Sequence, residues 1–165
     1  MNTRKGTMAP VLYILLRTDL PSMNCGKACA QASHASNAFV KMAKDDLAEK
    51  RRKLFELWQN ETDQGFGTVI VLAATRSELA SAVDNARFKM FVAGEVVDPT
   101  YPYKVENGEI AKLIPTTTDT FPRAEIADPK APVMLCRKEV TCGFIFGDKD
   151  ELAAYNIVSH LKLHP

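Results

Sequence analysis

The sequence predicts an α/β fold: a single mixed, mostly parallel sheet of about four strands, with helices on both faces and a hairpin and loop insertion before the last strand. Short apolar runs of strand length alternate with segments of helical periodicity, the order that builds βαβ units. Two capping boxes mark helix starts. With 165 residues, 46% of them apolar, the chain is long enough for one substantial core. We therefore interpret residues 1–165 as one domain.

The first strand is predicted at 10–17. Its apolar run, Val11–Leu16, is too short to span a bilayer and is closed by charged residues and a proline, which favours a central strand. Ser22 or Asn24 can cap the helix that follows. The further predicted elements are helices at 24–44 and 46–59, a strand at 67–74, a helix at 76–88, strands at 89–97 and 139–146, and a final helix at 149–162.

The capping boxes begin at Thr75 and at Asp148, each followed three residues later by a glutamate. Apolar residues at helical spacing follow both of them. These residues are Leu79, Ala82, Val83 and Ala86 after the first box, and Ala154, Ile157, Val158 and Leu161 after the second.

An insertion is predicted at roughly 99–138. Its first part has an Asn107-Gly108 turn between two short apolar segments, which is typical of a β-hairpin. Several prolines follow, up to Pro132, and predict an extended loop. Loops of this length in compact domains are usually functional or mobile.

The composition sets limits on partners and cofactors. A formal charge of +1 gives no general attraction to nucleic acid, so any RNA contact must come from a local patch. The first ten residues lack the apolar core of a signal peptide, so reduced cysteines in the cytoplasm are expected. The cysteines do not follow zinc-finger or ribbon spacing, although Cys25, Cys29 and His34 are close in sequence, and a metal site is not favoured. Glycine-rich phosphate loops and serine-nucleophile elbows are absent from the sequence.

The predicted first helix has an unusual polar face. If it begins near Cys25, then Lys27, Gln31 and His34 fall at positions i, i+4 and i+7. An ammonium, an amide and an imidazole would then share one face, among small residues that allow the helix to approach the sheet closely.

These residues resemble the type II family of peptidyl-tRNA hydrolases. The resemblance covers both ends of the chain, while the insertion departs from the family. The similar residues are Arg17-Thr18-Asp19-Leu20, Met23, Gly26-Lys27, Ala30-Gln31, His34-Ala35, the strand from Thr141 to Gly147 and the terminal Ser159-His160-Leu161-Lys162-Leu163.

The resemblance implies a hydrolase that releases a peptide from the 3′ ribose of tRNA without a cofactor or a metal. Asp98 would orient or deprotonate the water, Lys27 would stabilise the oxyanion or hold a phosphate, and Thr100 would donate a hydrogen bond. Substrate-binding roles are expected for Asp19, Gly26, Gln31, His34, Lys41, Lys44, Arg51 and Arg52. The implied partner is tRNA, the membrane is not involved, and the chain is a monomer or a homodimer.

The residues also admit plainer interpretations. Lys27 also fits the role of an ordinary solvated lysine. Asp98 fits that of a turn residue before Pro99, and His34 fits that of a histidine packed under a loop. The basic residues of the first two helices are diluted by acidic ones, so they also fit a solvated surface. Two other functions stay open: a non-catalytic RNA- or protein-binding module on this fold, and a hydrolase of a different ester or amide. Thr100 follows the aspartate by two residues where the family has four, and Cys25 stands where the family has a lysine.

Overall fold

The computed structural model describes residues 8–20, 22–45, 48–105 and 133–165. Within these ranges five strands and four helices alternate along the chain. In order they are β1 (Pro10–Arg17), α1 (Cys25–Asp45), α2 (Glu49–Gln59), β2 (Val69–Ala74), α3 (Arg76–Phe88), β3 (Val92–Val105), β4 (Val133–Asp148), α4 (Lys149–Ala154) and β5 (Lys162–Leu163).

The strands form one sheet in the order β3-β4-β1-β2-β5. β1 runs parallel to β2, with Leu12 opposite Val69, and antiparallel to β4, with Leu12 opposite Phe146. β2 pairs antiparallel with β5. The predicted α/β class and mixed sheet are confirmed. The sheet has five strands rather than about four, and it is less parallel than expected because β4 and β5 enter antiparallel.

Alternate residues of β1 supply the two layers of the core. Val11, Tyr13 and Leu15 pack with the buried residues of α3 and α4, whereas Leu12, Ile14 and Leu16 pack with those of α1 and α2. Successive side chains of a strand point to opposite faces, so a strand that is apolar throughout needs cover on both sides. The prediction of helices on both faces is confirmed.

Phe39 of α1 is the centre of an aromatic cluster beneath α1 and α2. Its ring centroid lies 5.6 Å from that of Phe55 and 5.5 Å from that of Trp58, both in edge-to-face geometry. The rings of Phe144 and Phe146 on β4 complete the cluster. Edge-to-face pairs add about 0.5–1.5 kcal/mol each beyond the burial of their area, so this cluster fixes both helices on the sheet.

The predicted helix caps are present. Asn24 caps α1, because its Oδ1 accepts the N–H of Lys27 at 3.0 Å. Thr75 and Glu78 form a complete capping box at the start of α3. Asp148 accepts the N–H groups of Asp150 and Glu151 at the start of α4. The sequence signals therefore place three of the four helix starts correctly.

The predicted final helix at 149–162 is wrong beyond Ala154. The N–H of Ile157 bonds to the carbonyl of Leu152, and Asn156 adopts a left-handed backbone with φ 53°. This is the Schellman arrangement, which ends a helix. Ile157 and Val158 are still buried. The apolar spacing therefore predicted their burial correctly, but it did not predict their backbone conformation.

β3 and β4 are longer than predicted. The strand expected at 89–97 extends to Val105, and the strand expected at 139–146 begins at Val133. Both flanks of the expected insertion are therefore strand. Prolines remove backbone donors, and β3 tolerates Pro99 because it is an edge strand. The predicted Asn107-Gly108 turn and the loop beyond it lie outside the described residues.

Contacts between residues divide the chain into two compact units. One comprises Met1–Val96 with Val140–Pro165 and holds both core layers, and the other comprises Val97–Glu139. The interpretation of the chain as one domain stays a prediction. Among the described residues, no helix is long and apolar enough to cross a membrane.

The backbone conformation of Met90, just after the end of α3, gives a prediction for stability. It follows the cap residue of α3 with φ 63°, and the N–H of Phe91 bonds back to the carbonyl of Ala86 at 2.9 Å. Glycine is preferred at this position because a side chain in the left-handed region costs roughly 1 kcal/mol. The Met90 side chain is 79% exposed, so removing it loses little burial. Met90→Gly should therefore raise the free energy of unfolding by about 0.5–1 kcal/mol, measured by urea denaturation.

Met42→Gly is the matched control, because Met42 is exposed inside α1. It should lower the free energy of unfolding by about 1 kcal/mol, as glycine does in a helix interior. If Met90→Gly lowered stability to the same extent, the left-handed strain at Met90 would be refuted.

Candidate functional site

The three residues predicted to share a face of α1 occupy different environments. Gln31 is buried, Lys27 is half-buried in the first turn, and His34 is exposed. They lie along one edge of the buried stripe of α1, as the helical spacing requires. The structure therefore confirms that they share one side of the helix, but it places only Lys27 and His34 within reach of solvent.

Gln31 joins α1 to β4. Its Oε1 accepts a hydrogen bond of 2.5 Å from the Thr141 hydroxyl, and its main-chain carbonyl accepts one of 3.1 Å from the Cys142 thiol. A buried amide without partners would cost a few kcal/mol, so these bonds explain why the interior tolerates Gln31. Its predicted contact with substrate stays a prediction, and the structure gives it a role in fixing α1.

A buried arginine organises the carboxyl end of β1. The Arg17 guanidinium, whose side chain is 8% exposed, donates to Asp19 at 2.6 Å and to the carbonyl of Val140 at 2.9 Å. The other Asp19 oxygen accepts the N–H of Arg76 at the start of α3. The hydrogen bond from Arg17 lowers the pKa of Asp19, and the Arg76 N–H adds to the effect. Asp19 therefore holds Arg17 in place, while its predicted contact with substrate stays a prediction.

Arg76 and Glu95 were not found by sequence reasoning. Two guanidinium nitrogens of Arg76 contact the two carboxylate oxygens of Glu95, at 2.7 and 3.2 Å. This bidentate pair links the start of α3 to β3 and continues the chain of polar contacts from Arg17 through Asp19. The residues are distant in sequence and belong to no recognised motif, so only the sheet order brings them together.

Asp98 and Thr100 form a local unit within β3. The Thr100 N–H donates to Asp98 Oδ1 at 2.9 Å, which orients the carboxylate. Asp98 is half-buried and Thr100 is exposed. The strand continues past Asp98, so this residue lies within β3 and not at its end as expected. The predicted roles of Lys27 and Asp98 in one reaction stay a prediction.

Gly26, another predicted substrate-binding residue, is exposed in the first turn of α1. A Cβ at this position would meet Asn24 Oδ1 at 3.6 Å, an ordinary contact. The fold therefore does not require glycine here. The substrate contact predicted for Gly26 stays a prediction.

The basic residues of α1 and α2 that are predicted to bind tRNA differ in their exposure and contacts. Lys41, Lys44 and Arg52 are exposed. Arg51 is half-buried, contacts Glu151 at 3.4 Å and places its guanidinium 4.7 Å from the centre of the Phe91 ring. These contacts attach α2 to α4 and to the residue that precedes β3, so Arg51 has a clear structural role, while its contact with tRNA stays a prediction.

A groove of about 590 Å³ opens beside α1, on the edge opposite Lys27 and His34. Its lining combines the carboxyl end of β1, the first turns of α1 and the end of the chain, and most of it is apolar. The lining residues are Leu16, Arg17, Thr18, Met23, Asn24, Cys25, Ala28, Cys29, Ala32, Val71, His164 and Pro165. The sequence did not indicate this groove, because the predicted final helix ran to residue 162. The chain instead forms β5 there, and the N–H of His164 bonds to the carbonyl of Val71.

The family described as peptidyl-tRNA hydrolase PTH2 matches residues 10–116, about two thirds of the chain and the region from β1 through β3. The chain belongs to the PTH2 family. This is a family of hydrolases, and the matched region contains Lys27, Asp98 and Thr100. A comparison with curated proteins gave no match. The resemblance seen in the sequence is thereby confirmed at the level of the PTH2 family.

Asp19 gives a prediction for the pH dependence of stability. Because its pKa is lowered in the folded protein, the ionised carboxylate stabilises the fold above the unfolded-state pKa of about 3.9, and this stabilisation is lost as the pH falls through the folded-state pKa. Asp19→Asn should therefore lower the free energy of unfolding by about 1–2 kcal/mol at pH 7, after allowance for the exposure of Asp19. The gap from wild type should close in strong acid.

Urea denaturation across this pH range measures the effect. Asp63→Asn, at an exposed carboxylate in the turn after α2, is the control and should follow wild type throughout. A gap for Asp19→Asn that stayed constant down to strong acid would show that the charge of Asp19 is not what stabilises the fold.

Proposed function

We propose that this protein hydrolyses the ester bond between a peptide, or an N-acyl-amino acid, and the 3′ ribose of tRNA. The observation that carries the proposal is the PTH2 match over 10–116, since this region includes all three proposed catalytic residues. They are Lys27, Asp98 and Thr100. The reaction needs an oriented water and a positive charge near the developing oxyanion, both of which these side chains can supply.

Asp98 is the proposed partner of the attacking water. The hydrogen bond from the Thr100 N–H holds its carboxylate in one orientation, and pre-set geometry lowers the cost of reaching the transition state. A carboxylate that accepts a proton from water as it attacks contributes typically about 10²–10⁴-fold in rate. The Thr100 hydroxyl is exposed beside it and can donate to water or substrate.

Lys27 is the proposed oxyanion or phosphate contact. It is fixed by the Asn24 cap at the third position of α1, where the helix end is already positive. An anionic ligand beside this lysine would add a favourable interaction that the positive end of the helix does not provide. The loss of a comparable donor to an oxyanion costs on the order of 10²–10³-fold in rate.

The body of tRNA is proposed to lie along the exposed side of α1 and α2. Lys41, Lys44 and Arg52 offer cations to its phosphates, while Arg51 is engaged by Glu151 and Phe91. The four cysteines are free thiols, in keeping with the cytoplasm as the proposed place of action.

Substitution of Asp98 separates hydrolysis from binding. Asp98→Asn keeps size and hydrogen-bonding reach but removes basicity, so release of acyl-amino acid from purified N-acyl-aminoacyl-tRNA should fall by roughly 10²-fold or more, with tRNA affinity retained. Lys27→Ala should also lower turnover. Because both residues would act on one transition state, the double variant should lose far less than the product of the single losses.

Lys149→Ala is the control, because Lys149 is an exposed lysine at the start of α4. It should match wild type in turnover. Wild-type protein that binds the tRNA but releases no product, under conditions where an active peptidyl-tRNA hydrolase does, would refute hydrolysis and favour a binding module. Release that is unaffected by Asp98→Asn and Lys27→Ala would refute these two assignments.

The proposed tRNA surface predicts a change in salt dependence. The double variant Lys41→Glu/Lys44→Glu should weaken tRNA binding about tenfold or more at low salt and reduce the slope of log affinity against log salt by about one to two, because two phosphate contacts are lost. Turnover at saturating substrate should change little.

Lys53→Glu serves as its control, since Lys53 is an exposed lysine of α2 that is paired with Glu49 at 3.3 Å. It should affect tRNA affinity much less than the double variant. Equal affinities and slopes for wild type and the double variant would assign Lys41 and Lys44 to ordinary solvation.

A further inference from the structure

The groove beside α1 holds two thiols on successive turns of one helix. Cys25 and Cys29 are both free, exposed and part of its lining. We propose that these two cysteines form a binding site for a soft, two-coordinate d¹⁰ metal ion, and that Cu(I) is the ion that fits best. The site lies about half a turn round α1 from Lys27 and does not depend on the proposed hydrolysis.

The helix sets the distance between the thiols. Side chains at positions i and i+4 have Cβ atoms about 5–6 Å apart, whereas a disulfide needs about 3.5–4.5 Å. An intact α1 therefore keeps Cys25 and Cys29 as separate thiols. Two thiolates, each about 2.3 Å from a d¹⁰ ion, span about 4.6 Å when the three atoms are collinear. Rotation about the side-chain bonds covers the remaining difference, so a bridging ion suits this spacing better than a disulfide does.

The surrounding side chains match a soft ion. The Met23 thioether lines the same groove, and thiolates and thioethers are ligands that suit soft ions such as Cu(I).

The preference for Cu(I) over zinc rests on the number of ligands. Structural zinc is held by four protein ligands. Among the residues that the structure describes, no three His, Cys, Asp or Glu side chains are placed to share a metal ion. A linear ion needs two ligands, which Cys25 and Cys29 provide. Binding exchanges two S–H bonds for two Cu–S bonds, releases two protons and involves no change of oxidation state.

Competition with a chelator tests the site. Reduced protein is titrated under argon with the Cu(I)–bicinchoninate complex, and transfer is followed by the loss of the chelate colour. Native mass spectrometry gives the stoichiometry. We expect one Cu(I) per chain. Cys25→Ser and Cys29→Ser should each lower the affinity by about 100-fold or more, with helix content unchanged by circular dichroism.

Cys136→Ser is the matched control, because Cys136 is also exposed but is not part of the groove lining. It should bind Cu(I) as wild type does, and a tenfold excess of Zn(II) should not displace the ion. The proposal is overturned if wild type takes no Cu(I) from the chelator, if either groove variant binds like wild type, or if Cys136→Ser abolishes uptake. One ion per two chains would also overturn it, since that ratio indicates thiols bridging separate molecules.

Discussion

The carboxyl end of the sheet depends on one buried charge, the guanidinium of Arg17. A buried cation is tolerated only when its donors have acceptors, and here Asp19 and the Val140 carbonyl supply them. Asp19 then uses its other oxygen to bind the first N–H of α3. One side chain thus joins β1, β4 and the helix after β2. Substitutions at Arg17 would remove the guanidinium that holds Asp19, the residue that binds this helix start.

Most of the fold could be predicted because local rules agree with the tertiary structure. Asn24 and Thr75 cap their helices as expected, and the unbroken apolar character of β1 reflects cover on both faces. The end of α4 was missed because Ile157 and Val158 are buried at helical spacing although the chain has already turned at Asn156. A periodic apolar pattern indicates which residues are buried, but it does not indicate where a helix ends. The left-handed residue Asn156 ends α4.

The candidate site was predictable in its residue types but not in its arrangement. Lys27, Asp98 and Thr100 were predicted from a resemblance to the type II peptidyl-tRNA hydrolases, and membership of the PTH2 family is confirmed. The hydrogen bond between Gln31 and Thr141 could not be predicted, because the two residues are 110 positions apart in the sequence. The groove was missed for the same reason, since Cys29 and His164 come to line one groove only through the sheet order. Contacts between distant segments leave no local pattern.

The hydrogen bond between Thr141 and Gln31 has a consequence for how α1 can change. It fixes the angular phase of the helix, so that Lys27 is held on one side and Cys25 and Cys29 on the other. Insertion of a single residue between Asn24 and Gln31 would turn the first residues by about 100° relative to the anchor. The two sides can accumulate substitutions separately, but they cannot tolerate a change in the length of this segment. We expect natural variation here to consist of replacements and not of insertions or deletions.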